Sequence, residues 1–267
     1  MVGDVTSTMA CAIAAQKLCV AVAHVEAGIR SGDWTMPEEI NRMVTDSITN
    51  YFFTTSEVAN DNLRRAGVSS DQIFFVGNTM IDTLIANKSR FTKPEFFDSL
   101  KLKPREYFVV TLHRPANVDK GDSFSRLLLA ISSGARNMPA VFPVHPRTAK
   151  TLRELGGVPV NIYMVDPQPY LEFNYLVQHA KAVITDSGGV TEETTVMGVP
   201  CMTMRNSTER PETVTMGTNE LLGIDPAALA PAFEKLFAGQ WKQGRIPPLW
   251  DGKTGERIVA HLEQLLC

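Results

Sequence analysis

Cysteine is scarce in this chain of 267 residues, with four in all. Cys11, Cys19, Cys201 and Cys267 have neither the paired spacing of a metal site nor that of a redox site. A reduced, cytoplasmic chain is the expectation. The five histidines form no H-E-x-x-H, so no metal centre is expected. There is no G-x-G-x-x-G fingerprint, which speaks against a nicotinamide enzyme, and no G-x-S-x-G nucleophile elbow of a hydrolase. Long apolar runs are also missing. The segment from Met9 to Val25 is apolar but holds Gln16, Lys17 and His24, and no basic stretch precedes it. It reads as neither a membrane span, which needs roughly 18 apolar residues, nor a signal peptide. A net charge of -3 gives no bulk attraction to nucleic acid or to an anionic membrane, so neither is expected as a partner. No internal repeat or low-complexity tract appears.

What recurs is a short β-branched or aromatic run, a polar turn, and then a helical pattern. The runs 21–25, 51–54, 73–76, 107–112, 140–144, 161–165, 182–185 and 201–204 predict strands. Between them lie helical segments such as 38–49, whose Ile40, Met43, Val44 and Ile48 recur at helical spacing behind Pro37. Strands alternating with helices predict a parallel α/β architecture. The pattern divides at "GNTMIDTL" (77–84), which predicts a partial first domain over 1–78 and a doubly wound second domain over 79–254. The amphipathic segment 255–267 could pack on either. At the very start, Val2, Gly3 and Asp4 read as the last residues of a buried parallel strand.

Ligands of open parallel sheets bind beyond the carboxyl ends of the strands. Polar groups stand at nearly every such exit here: Asp4, Glu26, His113, His145, Asp166, Asp186 with Ser187, and Arg205. Together they predict one active cleft between two domains. In "TDSGGVTEETTVMGVP", Gly188 and Gly189 would turn the backbone and expose N–H groups at a helix start, with Ser187 able to cap it. Such a terminus suits a phosphate, but an ordinary capped helix would look the same. Glu192 and Glu193 follow, and at least one should face away from any phosphate. "HVEAGIRSGDWTMPEEINR" holds Glu26, Arg30, Asp33, Glu38, Glu39 and Arg42, which is either an ion-pair network or an acid/base site. His113 in "TLHRPANVD" suits a general acid/base. Arg210 in "TERPE" is either a structural pair or an anion clamp.

Taken in order, "GDVTST", "HVEAGIRS", "MPEEINR", "VGNTMIDTL", "TLHRPANVD", "PVHPRT", "TDSGGVTEE" and "RNSTERPE" resemble the non-hydrolysing UDP-N-acetylglucosamine 2-epimerases. The resemblance runs from residue 1 to about 225. It implies two Rossmann-like domains of the glycosyltransferase-B type with the site between them, and a homodimer. It implies epimerisation at C2 by elimination of UDP to 2-acetamidoglucal and re-addition, with no cofactor. Carried over motif by motif, Asp4, Glu26, Glu38 and His113 would be the acid/base set. Ser187, Gly188 and Gly189 would hold the diphosphate, Glu193 the ribose hydroxyls and the Phe173 backbone the uracil, with His145 and Arg210 completing the nucleotide side. Two departures stand out. Ala116 occupies a position where many members have glutamate. The family's upstream Gly-Thr-Arg-Pro-Glu motif is missing, so the first domain is expected to be incomplete, with apolar faces uncovered. Other readings are a UDP-diacetamido-uronate 2-epimerase, a hydrolysing variant, and a UDP-binding protein without activity.

Overall fold

In a computed structural model, residues 1–118, 121–144, 148–149, 152 and 157–266 are described. The chain divides into two compact units. The first comprises Met1–Ala86, Ser207–Glu212 and Pro247–Cys267, and the second Asn87–Asn206 and Thr213–Ile246.

The first unit carries a parallel sheet of β1 (Ala23–Ala27), β2 (Tyr51–Thr54) and β3 (Ile73–Phe75), in that order. Helices Pro37–Ser47 and Glu57–Arg65 supply the crossovers that parallel pairing requires. Val2 adds a single parallel bridge to Val25, with the Val25 N–H donating to the Met1 carbonyl at 2.8 Å and the Gly3 N–H to the Val25 carbonyl at 3.1 Å. The expected strand end at Val2–Asp4 is thus one bridge long. Val2 itself is exposed, as are Val5, Ile13, Leu18 and Val20 on the segment that follows.

The helix Pro37–Ser47 reverses one expectation. Its buried residues are Glu39, Asn41, Arg42, Thr45 and Asp46, while Ile40 and Met43 are exposed. Spacing located the helix correctly, but ion pairs and hydrogen bonds rather than apolar contacts turned its polar side inward.

The C-terminal helix Thr254–Leu266, whose side the sequence left open, belongs to this unit. Asp82 caps it from outside by accepting the N–H groups of Thr254 (3.1 Å) and Gly255 (2.7 Å). Arg257 donates to the Val76 carbonyl at 3.0 Å, and the buried Trp250 donates its indole N–H to the Thr55 carbonyl at 3.0 Å. Gly77, with φ +103°, is required here, since a Cβ would fall 2.2 Å from the Leu249 carbonyl oxygen.

The second unit holds a six-stranded parallel sheet: β4 (Phe108–Thr111), β5 (Ala140–Pro143), β6 (Ile162–Val165), β7 (Ala182–Thr185), β8 (Cys201–Thr203) and β9 (Asn219–Leu221). Helices cover both faces, which is why its central strands read as continuous apolar runs. Phe108 and Val110 pack on one face with Phe124, Leu127 and Phe233; Tyr107 and Val109 pack on the other with Leu176, Val177 and Val190. β9 was not predicted, because "NEL" has no apolar run to announce it. The spatial order is β6-β5-β4-β7-β8-β9, so the chain reverses direction across the sheet between β4 and β7. Among the described residues, no helix is long and apolar enough to cross a membrane.

Candidate active site

Glu26 stands out first. The register of β1 against β2 slips between Val25 and Ala27, and Glu26 sits in that bulge with φ +72°. A side chain in the left-handed region costs about 1–2 kcal/mol, and bulges of this kind re-aim side chains next to functional sites. Gly28 follows at φ +77°, where a Cβ would lie 2.4 Å from the Ala59 carbonyl oxygen. The spared strain is measurable. Glu26→Gly should be more stable than Glu26→Ala by about 1 kcal/mol in urea titrations, the reverse of the usual order for the two residues. Equal stabilities would show that the backbone at 26 carries no strain.

The Glu26 carboxylate is partnered by Arg210, whose Nη2 lies 3.4 Å from Oε2. Both side chains are largely buried. The sequence left Arg210 as either a structural pair or an anion clamp, and in the structure it pairs with the candidate acid/base residue. Glu212, two residues on, is also buried, beside Arg210. Burial pushes its pKa above the ordinary carboxylate range, although the Arg210 charge pulls the other way.

Asp4, Glu38 and Glu39 are sorted by the helix Pro37–Ser47. Glu39 is buried and accepts the N–H groups of Ser31 (2.9 Å) and Gly32 (3.0 Å), the Ser31 hydroxyl (3.1 Å) and Arg42 Nη1 (3.0 Å). Burial alone would raise its pKa, but these bonds hold it below the usual value. Glu39 is therefore a structural anion, while Glu38, half-buried beside it, takes part in none of these bonds. Arg42 also grips Asp4, with Nε at 2.9 Å and Nη2 at 2.5 Å from the same Oδ2. Asn41 donates to the Asp4 carbonyl at 2.9 Å. Behind Asp4, the buried His24 spans Asp46 (Nδ1 to Oδ1, 2.7 Å) and the Gly3 carbonyl (Nε2, 3.0 Å), and Asp46 also binds Arg30. The "HVEAGIRSGDWTMPEEINR" cluster is thus an ion-pair network that holds candidate acid/base groups at its edge.

In the second unit, His113 leaves the end of β4 and Asp186 the end of β7. Asp186 is fully buried, and its carboxylate accepts the N–H groups of His113 (3.1 Å) and Arg114 (2.9 Å) and the Asn117 amide (2.9 Å). His113 Nδ1 lies 2.8 Å from Asp186 Oδ1, although the ring is mostly exposed. Burial would raise the Asp186 pKa, but the bonds from His113, Asn117 and Arg114 bring it below the usual value. Asn117 also reaches the Met204 carbonyl beyond β8 at 3.1 Å, tying three strand exits together. Sequence reasoning placed Asp186 at a strand exit but gave it no role.

Ser187, Gly188 and Gly189 begin the helix Gly188–Met197 directly after Asp186. Two details differ from expectation. The Ser187 side chain makes no capping bond, and neither glycine has a positive φ. The glycines therefore leave the helix start bare rather than turning the chain, and the first N–H groups lack a side-chain cap. This start lies at the reversal between β4 and β7, where open parallel sheets take their ligands. Glu192 and Glu193 are both buried in the second turn. Glu193 accepts from Asn174 at 3.4 Å and interacts with Tyr170; burial pushes its pKa up in spite of those bonds. Phe173 is half-buried in the helix Tyr170–His179 and packs on the apolar cluster of Phe97, Tyr107 and Leu176. Its own N–H donates to the Pro169 carbonyl at 2.9 Å, so the bare donors of that helix are those of residues 170–172. His145 lies outside the described residues. Asp166, which the strand-exit rule also singled out, is exposed beyond the edge strand β6. No group of metal-ligating side chains occurs among the described residues.

Parallel α/β units with carboxylates and a histidine at their strand ends are an arrangement that suits a ligand bound beyond the sheet and acid/base chemistry on it. The sequence pattern that describes UDP-N-acetylglucosamine 2-epimerase matches residues 1–263, and the chain belongs to that family. It is 41% identical over 270 residues to the UDP-N-acetylglucosamine 2-epimerase of Methanocaldococcus jannaschii, covering 96% of this chain and 72% of the relative. It is 40% identical over 267 residues to the UDP-2,3-diacetamido-2,3-dideoxy-D-glucuronate 2-epimerase of Pseudomonas aeruginosa, covering 98% and 73%. The crystal structure of the M. jannaschii enzyme with UDP-GlcNAc and UDP superimposes with a TM-score of 0.86 over 98% of this chain and 74% of that one, at 40% identity. The S. aureus MnaA–UDP structure superimposes with a TM-score of 0.88 at 27% identity, covering 100% and 75%. The fold is accordingly α/β of the glycosyltransferase-B type, as the motifs implied.

Proposed function

We propose that the chain interconverts UDP-N-acetylglucosamine and UDP-N-acetylmannosamine by epimerisation at C2. The observation that carries this reading is the pairing of His113 with Asp186, directly before the uncapped helix start at Gly188–Gly189, at the exits of adjacent strands where the sheet order reverses. An acid/base group and a diphosphate cradle side by side suit a reaction in which a sugar–diphosphate bond is broken and remade.

The C2 proton is not adjacent to a carbonyl, so simple deprotonation is out of reach. Removal of that proton by a base, with cleavage of the C1–O bond, gives UDP and 2-acetamidoglucal. Protonation of C2 from the other face and return of the UDP oxygen to C1 complete the inversion, with no net redox change. Asp4, Glu26, Glu38 and His113 are assigned the proton transfers. Ser187, Gly188 and Gly189 hold the departing diphosphate, and Glu193 the ribose. The helix start at Tyr170–Phe173 meets the uracil, and His145 belongs to the nucleotide side. Arg210 is assigned to balance Glu26. A homodimer in the cytoplasm that feeds cell-envelope polysaccharide synthesis goes with this reading. The near-equal identity to the diacetamido-uronate enzyme supports a second reading with that UDP-sugar as substrate.

The test is incubation of the chain with each UDP-sugar in D2O, followed by NMR. Loss of the C2 proton signal together with growth of the 2-epimer is expected for the true substrate. UDP binding with no exchange into either sugar would refute the reading.

A further inference from the structure

We infer that Asp186 is a positioning residue that fixes the tautomer of His113, so that Nε2 is the nitrogen that exchanges protons with the substrate. Besides the imidazole, Asp186 faces the N–H groups of His113 and Arg114 and the amide of Asn117. The first two are obligate donors. Asn117 is oriented by its second bond to the Met204 carbonyl, which only its NH2 can make.

A carboxylate surrounded by donors is ionised and can only accept. The imidazole nitrogen 2.8 Å away must then carry a hydrogen, and that nitrogen is Nδ1. In the neutral ring Nε2 is left as a lone pair, on a side chain that is 62% exposed. The same carboxylate clamps the backbone of residues 113 and 114, and the Arg114 Nε–H donates to the Asp186 carbonyl at 2.9 Å. Position and protonation of the ring are therefore set together. The arrangement is the orienting half of an acid/base pair, with the acid buried and the histidine presented outward.

The purpose assigned to Nε2 rests on the epimerase reading; the tautomer does not, and the experiment separates the two. The imidazole nitrogens of His113 are observed by two-dimensional 15N NMR at alkaline pH, with the signals assigned by their absence from His113→Gln. The expected result is an Nδ1–H tautomer with Nε2 unprotonated. A protonated Nε2 in the unmodified protein overturns the inference, whether or not the protein turns over any UDP-sugar. In Asp186→Asn, the amide NH2 faces Nδ1 and forces the hydrogen onto Nε2. Turnover should fall by about 100-fold or more while UDP affinity stays within a few-fold. A folded Asp186→Asn protein with unchanged tautomer or unchanged turnover also overturns it. Should that variant not fold, the spectrum of the unmodified protein decides.

Discussion

His113→Asn is expected to lower turnover of the UDP-sugar by about 100-fold or more and to leave UDP affinity within a few-fold, and Glu26→Gln to do the same. Both residues are read as moving protons at the sugar, whereas the diphosphate is assigned to the helix start at Gly188, which contains neither. Asparagine keeps a polar group of similar reach at 113 but cannot take or deliver a proton near neutral pH. Glutamine keeps the shape at 26 and its contact with Arg210, but not the charge. Calorimetry with UDP alone and steady-state turnover separate the two quantities. A variant that lost UDP binding while turning over normally once saturated would contradict the assignment, because it would place the residue on the nucleotide.

Arg42→Met should destabilise the first unit by about 3 kcal/mol, read as a lower urea midpoint. The guanidinium is buried and serves two carboxylates at once, Asp4 and Glu39. Methionine fills the volume but leaves Glu39, itself buried, without its countercharge. Asp4 is about a third exposed and loses less, since water takes over part of the role. A midpoint within the equivalent of about 1 kcal/mol of the parent would mean that the network is well solvated. Turnover should fall as well, because Asp4 is held on one oxygen by two nitrogens of the same arginine.

The sequence by itself determined a good deal. Among the described residues, apolar runs located eight of the nine strands, most clearly the central β4, β5, β7 and β8, since strands buried on both faces are apolar almost throughout. The strand-exit rule brought His113 and Asp186 to notice, because parallel sheets put their polar groups where the backbone leaves the core. The ordered motifs pointed to the family. Four things were decided only by the tertiary structure. Glu38 and Glu39 are adjacent and chemically identical, and only the Ser31 hydroxyl and the N–H groups of Ser31 and Gly32, brought back over the helix, together with Arg42, make Glu39 the structural anion. The helix Pro37–Ser47 turns polar residues inward because Asp4 and Ser31 are there to meet them, which no periodicity can announce. The left-handed conformation of Glu26 and the contact of Asp186 with the His113 ring are products of register and of strand neighbours 73 residues apart in the chain. Local pattern reports what a segment can bury; which partner it meets depends on groups distant in sequence.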